Sequence, residues 1–305
     1  MAFLHRGIHL LIASCLLLIP ERSVAQKVAI TFDDLPQNGI LPSGVNRKDI
    51  AGSALAILAQ EHVPSVFGFI NAGKLEGDID GAEALKLWAA AEPVGNHTYT
   101  HIDLHQSTVD AFERDVELNE PALELLSSNG SWRWLRYPYL REGETVAKRR
   151  AVREYLKARG YRIAQVTIDW EDYLWNSPYA RCVDKKDAKS IEWLRTSYLS
   201  TASMFIDVSR AMARLVYGRD IDHVVLLHLG AFTATILRPT LDLLRNKGLS
   251  LVTLEDAQSD LAYASDPDIG SANGGTLLEQ LMDARKLKYP AVGKKPYKEL
   301  QGICQ

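Results

Sequence analysis

The chain has 305 residues, of which 47% are hydrophobic and 24% charged, with a formal net charge of −3. That balance is ordinary for a globular protein able to bury a sizeable core in one large domain or two small ones. With no Lys/Arg block beyond short pairs, the chain lacks an electrostatic footprint for nucleic acid, and that class of partner is set aside.

The N-terminus reads as an export signal. His5 and Arg6 precede an apolar run from Ile8 to Ile19, and Ser23-Val24-Ala25 offers small residues where a signal peptidase reads. Residues 1–25 are therefore expected to be a signal peptide, and the mature protein to be exported, periplasmic or secreted. The run is shorter than the roughly 20 residues of a comfortable membrane span, and no later segment is apolar enough, so no stable span is expected. The alternative is a lipoprotein box at Ile12-Ala13-Ser14-Cys15, although the apolar run continues past Cys15. After a cut at Ala25 only Cys182 and Cys304 remain. In an exported chain two cysteines suggest one disulfide, here stapling the C-terminus to a central loop; two free thiols are the other reading.

Val28 to Phe32 reads as a buried strand that ends in Asp33 and Asp34, followed by a Gly/Pro/Asn loop over 37–46. Adjacent strand residues point to opposite faces, so the two acids are expected to do different jobs. Asp49 can cap a helix through Gln60, and a second strand spans 63–70. A helix over 82–91 and a short apolar step at 93–95 deliver His97. A long amphipathic helix follows over 109–126, which Pro121 can kink or divide. Then come a strand over 132–137, a helix over 145–159, a strand over 161–168, a largely helical segment over 187–217, a strand over 223–229, a helix over 234–246 and a last strand over 249–254.

About seven strands alternating with helices form the pattern of parallel βα units. In closed α/β barrels the catalytic residues lie at the C-terminal ends of the strands. Here the polar clusters fall at such ends: Asp33-Asp34, His97-Thr98-Tyr99-Thr100-His101, Arg136-Tyr137-Pro138-Tyr139, Asp169-Trp170-Glu171-Asp172 and Leu226-Leu227-His228. The fold class expected is α/β, a distorted (β/α) barrel of about seven parallel strands over 26–256, with 257–305 an extension packed on it.

In this order the five clusters resemble the signature of the polysaccharide deacetylase family, carbohydrate esterase family four. That signature runs T-F-D-D, H-[S/T]-x-x-H, R-x-P-[Y/F], D-x-x-D-W and L-x-H, and the resemblance covers roughly Lys27 to Ala257. Two departures stand out: Tyr173 replaces the Trp of the fourth motif, and Leu229 follows His228 where many members carry Asp. The resemblance implies the same distorted barrel.

Two histidines at i and i+4 with one carboxylate suit a divalent metal, most readily Zn²⁺, and leave a position open for water. Asp34, His97 and His101 are the expected ligands. Such an ion lowers the pKa of its water toward roughly 7. Asp33 is then free to act as general base, held by a charge-assisted pair with Arg136. By resemblance, the backbone amide of Tyr139 donates to the oxyanion. His228 is the expected acid for the leaving amine, with Asp172, or Asp169 as second candidate, favouring its charged form. His62, His105 and His223 are read as structural, and Trp132 and Trp134 as core. Trp170, Tyr173 and Trp175, together with Tyr139, are candidates to line a sugar subsite.

The resulting expectation is a metal-dependent carbohydrate deacetylase acting on a glycan, most readily on the N-acetyl group of a glucosamine-containing one. The alternatives are an O-acetyl esterase on acetylated xylan or peptidoglycan and a non-catalytic carbohydrate-binding protein. Binding alone would require none of Asp33, Arg136 and His228.

Overall fold

A computed structural model describes residues 26–127 and 130–305; the expected signal peptide and the Cys15 box lie outside them. In chain order the first half contains β1 (Gln26–Leu35), α1 (Arg47–Gln60), β2 (Phe67–Ile70), α2 (Ile79–Ala91), β3 (Val94–Asn96), α3 (Val109–Leu126), β4 (Trp134–Leu135) and α4 (Val146–Ala158). The second contains β5 (Arg162–Ile163), α5 (Asn176–Asp184), α6 (Ala188–Tyr217), β6 (His223–His228), α7 (Ala231–Asn246), β7 (Leu249–Val252), α8 (Leu254–Ala257), α9 (Leu277–Ala284) and α10 (Tyr297–Gly302). No helix among the described residues is long and apolar enough to cross a membrane.

All the strands pair in parallel, in the order β5-β4-β3-β2-β1-β6. Strand β1 carries the most pairing. One edge takes β6 from Val28 opposite His223 to Asp33 opposite His228. The other is shared: β7 pairs with Gln26–Ala29 and β2 with Thr31–Leu35. The expected strand over 161–168 changes partner halfway. Its start pairs with β4, and then Ile168 bridges Val225 on the outer edge of β6, with the Leu226 amide donating to the Ile168 carbonyl at 3.1 Å. That switch closes the sheet into a distorted α/β barrel of seven parallel strands, as the motif positions required.

Alternation along β1 sorts the two sides of the barrel wall. Val28, Ile30 and Phe32 join the large core packed beneath the helices, with Ile50, Leu58, Trp88, Leu237 and Leu241. Ala29 belongs to a smaller cluster with Phe67, Phe69, Trp134, Ala164, Val224 and Leu254, and Thr31 and Asp33 follow it along the same face. The pleat thus delivers Asp33 above an apolar plug.

Local chemistry moves several expected boundaries. The cap of α1 is Asn46, whose side chain accepts from the Asp49 amide; Asp49 lies inside the first turn. Helix α3 runs unbroken through Pro121. Helix α5 precedes the expected helical segment, which is α6, one helix of 30 residues capped by Asp187. Cys182 and Cys304 form a disulfide.

Candidate active site

Asp33 ends the inward row of β1, and Arg136, just after β4, reaches it from across the barrel. The guanidinium Nη1 donates to both Asp33 oxygens at 3.0 and 3.2 Å, Nη2 to Thr31 Oγ1 at 3.0 Å and Nε to the Ala164 carbonyl at 2.7 Å. Its plane lies over the Phe69 ring at 4.7 Å. A buried guanidinium is tolerated because its donors are occupied and its charge is matched. Burial pushes the Asp33 carboxyl up to about 6, against the lowering pull of Arg136.

Asp34 departs from strand alternation. Its φ is 65°, and the pairing of β1 with β2 shifts register between Phe32 and Leu35. This local irregularity turns the second carboxylate into the same pocket as the first instead of to the opposite face. Asp34 Oδ1 lies 3.3 Å from His101 Nε2 and 3.8 Å from His97 Nε2, and Asp33 Oδ2 lies 3.7 Å from His97 Nε2.

The expected ligands Asp34, His97 and His101 therefore meet, with their ligand atoms all within 4.8 Å of one another. The donor set passes a test of fit for a divalent cation. Asp34 Oδ1 is buried and accepts no hydrogen bond, while Asn38 holds Oδ2 at 2.8 Å. His97 Nδ1 contacts the Arg136 carbonyl at 2.8 Å, which places the proton on Nδ1 and the lone pair on Nε2. Burial holds both imidazoles below their ordinary range, hence neutral. Burial opposes ionisation of Asp34, but Lys74 and His228 outweigh it and lower its carboxyl. Each ligand is thus in the protonation state a metal requires.

His228, at the end of β6, sits beside Asp33 in register. Of the two candidate orienting acids, Asp172 is the one bonded to it: Nδ1 meets Asp172 Oδ1 at 2.7 Å, and the His228 amide donates to Oδ2 at 2.9 Å. Burial would lower the imidazole, yet Asp172 prevails and raises it to about 9. Asp169 instead accepts from the Glu171 amide at 2.7 Å, and burial pushes it up to about 6.

These groups line a cleft of about 780 Å³ with Tyr139, Tyr173 and Leu226, within the range of ligand sites. Tyr139 has φ 59° and packs edge-on against His101 at 4.4 Å; Tyr173 does the same against His228 at 5.2 Å. Trp170 and Trp175 are corrections: both are fully buried against Tyr198 and do not reach the cleft. The helical turn at 172–175 carries Tyr173 outward and Trp175 inward. His223 is buried against Thr167, as its structural reading expected. A groove of similar size, about 730 Å³, is lined by charges already paired, Arg150 with Asp268 and Arg153 with Asp266.

Several contributors have no motif to announce them. Asn71 donates to the His97 and Thr98 carbonyls at 2.6 and 3.0 Å, and Asn119 donates to Asn96, which in turn accepts from the Thr98 amide at 2.8 Å. This buried amide network fixes the histidine loop. Lys74 Nζ stands 3.1 Å from Asp34 Oδ1. The C-terminal segment supplies Gly274, Glu279, Tyr289 and Lys295 to the cleft.

Among solved structures, the chain is similar to a CE4 family pseudoenzyme from Bacillus anthracis, at 15% identity and a TM-score of 0.52, over 77% of this chain and 66% of that one. A mutant of that protein with restored enzymatic activity aligns at 16% identity and a TM-score of 0.52, over 77% and 68%. The chitin deacetylase of the fungus Colletotrichum lindemuthianum aligns at 22% identity and a TM-score of 0.49, over 75% and 86%. At such identities the two matches with a TM-score of 0.52 show a likeness of fold alone. The polysaccharide deacetylase family model matches residues 21–164. That stretch runs to just past β5 and takes in Asp33, Asp34, His97, His101 and Arg136, and over it the chain is similar to the polysaccharide deacetylase family.

Proposed function

We propose that the protein is an exported, metal-dependent deacetylase that removes the N-acetyl group from an N-acetylglucosamine-containing glycan. The observation that carries this reading is one cleft holding a convergent Asp34–His97–His101 set beside two acid–base groups with separate partners, Asp33 on Arg136 and His228 on Asp172. A divalent cation held by the first three, Zn²⁺ best matching two imidazoles and a carboxylate, supplies Lewis-acid polarisation and a more acidic water.

The chain's own groups then divide the proton work. Asp33 takes a proton from the water as its oxygen bonds to the acetyl carbon, and Arg136 holds the carboxylate in position. The Tyr139 amide is assigned as donor to the developing oxyanion. As the C–N bond breaks, its electron pair leaves with nitrogen, and His228 delivers the proton that makes it an amine. Acetate is the other product. Asp33 must be ionised and His228 protonated at once, and with their groups at about 6 and about 9 both conditions hold between those pH values. Export is supported by the N-terminal apolar run and by the Cys182–Cys304 disulfide.

Acetate release from N-acetylglucosamine oligomers, with metal-stripped protein reloaded with Zn²⁺, tests the reading. Release that requires the metal supports it. No release with one ion bound per chain sinks the glucosamine assignment in favour of acetate esters, and failure to bind metal removes the ligand assignment.

A further inference from the structure

Beyond β7 the chain runs around the mouth of the barrel and is tied to both motif loops that flank the site. At one end the Ser271 amide donates to the Gly143 carbonyl at 3.1 Å and the Leu277 amide to the Val166 carbonyl at 2.8 Å. Gly274 lies so close to the Arg-x-Pro-Tyr turn that a Cβ there would meet the Tyr139 and Leu140 carbonyls at 2.9 Å. Helix α9 buries Leu277, Leu278, Leu281 and Met282 against Met212, Ala213 and Val216 of α6. The chain then crosses α6, the Gly293 amide meeting Met204 Sδ at 3.1 Å, and ties to the fourth motif, where Lys295 Nζ reaches Glu171 Oε2 at 2.6 Å and the Tyr297 hydroxyl bonds the same oxygen. Arg181 donates to the Leu300 and Ile303 carbonyls, and the disulfide follows.

Among the residues that the segment brings to the cleft are Tyr289 and Lys295. Tyr289 is 43% exposed, and its hydroxyl reaches Asp283 Oδ1 at 2.7 Å and the Glu279 carbonyl at 3.0 Å. Its polar end is satisfied within the protein, so what remains on offer is the ring, held in place before any ligand arrives. Lys295 lies 4.3 Å over the Phe205 ring. One of its three N–H donors is engaged by Glu171, leaving the ammonium with further donors. A flat apolar face beside a fixed donor suits a pyranose, which pairs an apolar C–H face with a rim of hydroxyl oxygens, and prior immobilisation removes ordering cost from binding.

We propose that Tyr289 and Lys295 form a second sugar subsite, which holds a glycan unit next to the one that loses its acetyl group and makes the protein select oligomers over short sugars. The inference rests on the deacetylase reading above for the substrate class, and on the path of the C-terminal segment for the place. The family match ends at residue 164, well before either residue.

Calorimetric titration of N-acetylglucosamine and its dimer into the Zn²⁺-loaded full-length mature Asp33→Asn protein, which binds with little turnover, tests it. The dimer is expected to bind about tenfold more tightly than the monosaccharide, the order of one aromatic contact. Tyr289→Ala should bring that ratio close to one, Lys295→Met should reduce it severalfold, and Tyr289→Phe, which keeps the ring, should preserve most of it. An unchanged ratio in Tyr289→Ala, an equal loss in Tyr289→Phe, or no binding of either sugar overturns the subsite. A Tyr289-dependent ratio in a protein whose parent releases no acetate would uphold the subsite while removing the deacetylase reading. Acetate release with a ratio indifferent to Tyr289 would do the reverse.

Discussion

At the inner end of the cleft, on the strand tips, Asp34 Oδ1 accepts no hydrogen bond and the imidazoles of His97 and His101 converge on it. At the outer end, the polar groups that the C-terminal segment brings are paired with protein: Lys295 with Glu171, Tyr289 with Asp283, and Glu279 with Thr276 in a capping box. The close cation beside Asp34 Oδ1 is the partly exposed Lys74 ammonium at 3.1 Å, a pair that an incoming ion can replace. The inner end gathers convergent carboxylates and imidazoles, whereas the outer end holds its polar groups in a fixed shape.

The largest effect that separates the two ends is expected from Asp33→Asn. Loss of a general base should lower acetate release by about 10²–10⁴-fold while metal content stays that of the parent, since Asp34, His97 and His101 are untouched. Near-parental turnover would transfer the base role elsewhere. Next comes Trp175→Ala, which opens the core against Tyr198 and should cost about 3–5 kcal/mol in denaturant unfolding. Turnover per folded molecule should hold, and a specific loss of glycan binding would return Trp175 to the sugar wall.

Cys304→Ser releases the end of the outer segment and should lower stability by about 2–4 kcal/mol, read as a shift of the urea midpoint. Metal affinity should not follow it; if it did, the two ends of the cleft would not be separable. Asp172→Asn acts on pH dependence. His228 is raised to about 9 by Asp172, so turnover should fall as pH rises through that value, and the variant should bring the alkaline limb toward the ordinary histidine range. The linked stability has the same sign: it is fully present below the unfolded histidine value and lost as pH rises through about 9. An alkaline limb indifferent to the substitution would assign the acid to another group. The smallest effect is expected from Lys74→Met. Its ammonium, 3.1 Å from Asp34 Oδ1, competes with an incoming cation, and removing a partly exposed pair of this kind should tighten Zn²⁺ binding by less than about tenfold. Weaker binding would mean that Lys74 supports the ligand set.

Much of the inner end was legible because it lies where strands stop. The order of the clusters, and the expectation that Asp34, His97 and His101 meet beside an Asp33–Arg136 pair and His228, followed from residue type at strand ends and from the family resemblance, and the structure brings these side chains together. The alternation rule failed at Asp34, because a left-handed residue and a register shift override the pleat there. Periodicity missed the break after β5, since Ile163, Val166, Thr167 and Ile168 carry strand-type residues across a segment that exchanges one strand partner for another. The assignment of Trp170 and Trp175 failed because a tight helical turn, unlike a strand, gives no two-residue rhythm from which to tell inside from outside. The outer end was read from composition alone, although Thr276 followed by Glu279 ahead of Leu281 is a capping-box signal that marks α9.

The pairing of β1 also bears on the order in which the molecule can be completed. The first strand made is joined to β6 from Val28 opposite His223 onward, next to a bond from the Lys27 amide to Asp222, 195 residues further along the chain. At ribosomal speeds of 5–20 residues per second, β1 waits roughly 10–40 s for that partner. During that interval the chain already carries Asp33, Asp34, His97 and His101, but neither His228 nor the strand that seals the edge of β1. On the roles proposed above, a nascent or truncated chain ending before residue 223 would lack its acid, and it would present an open strand edge to other chains.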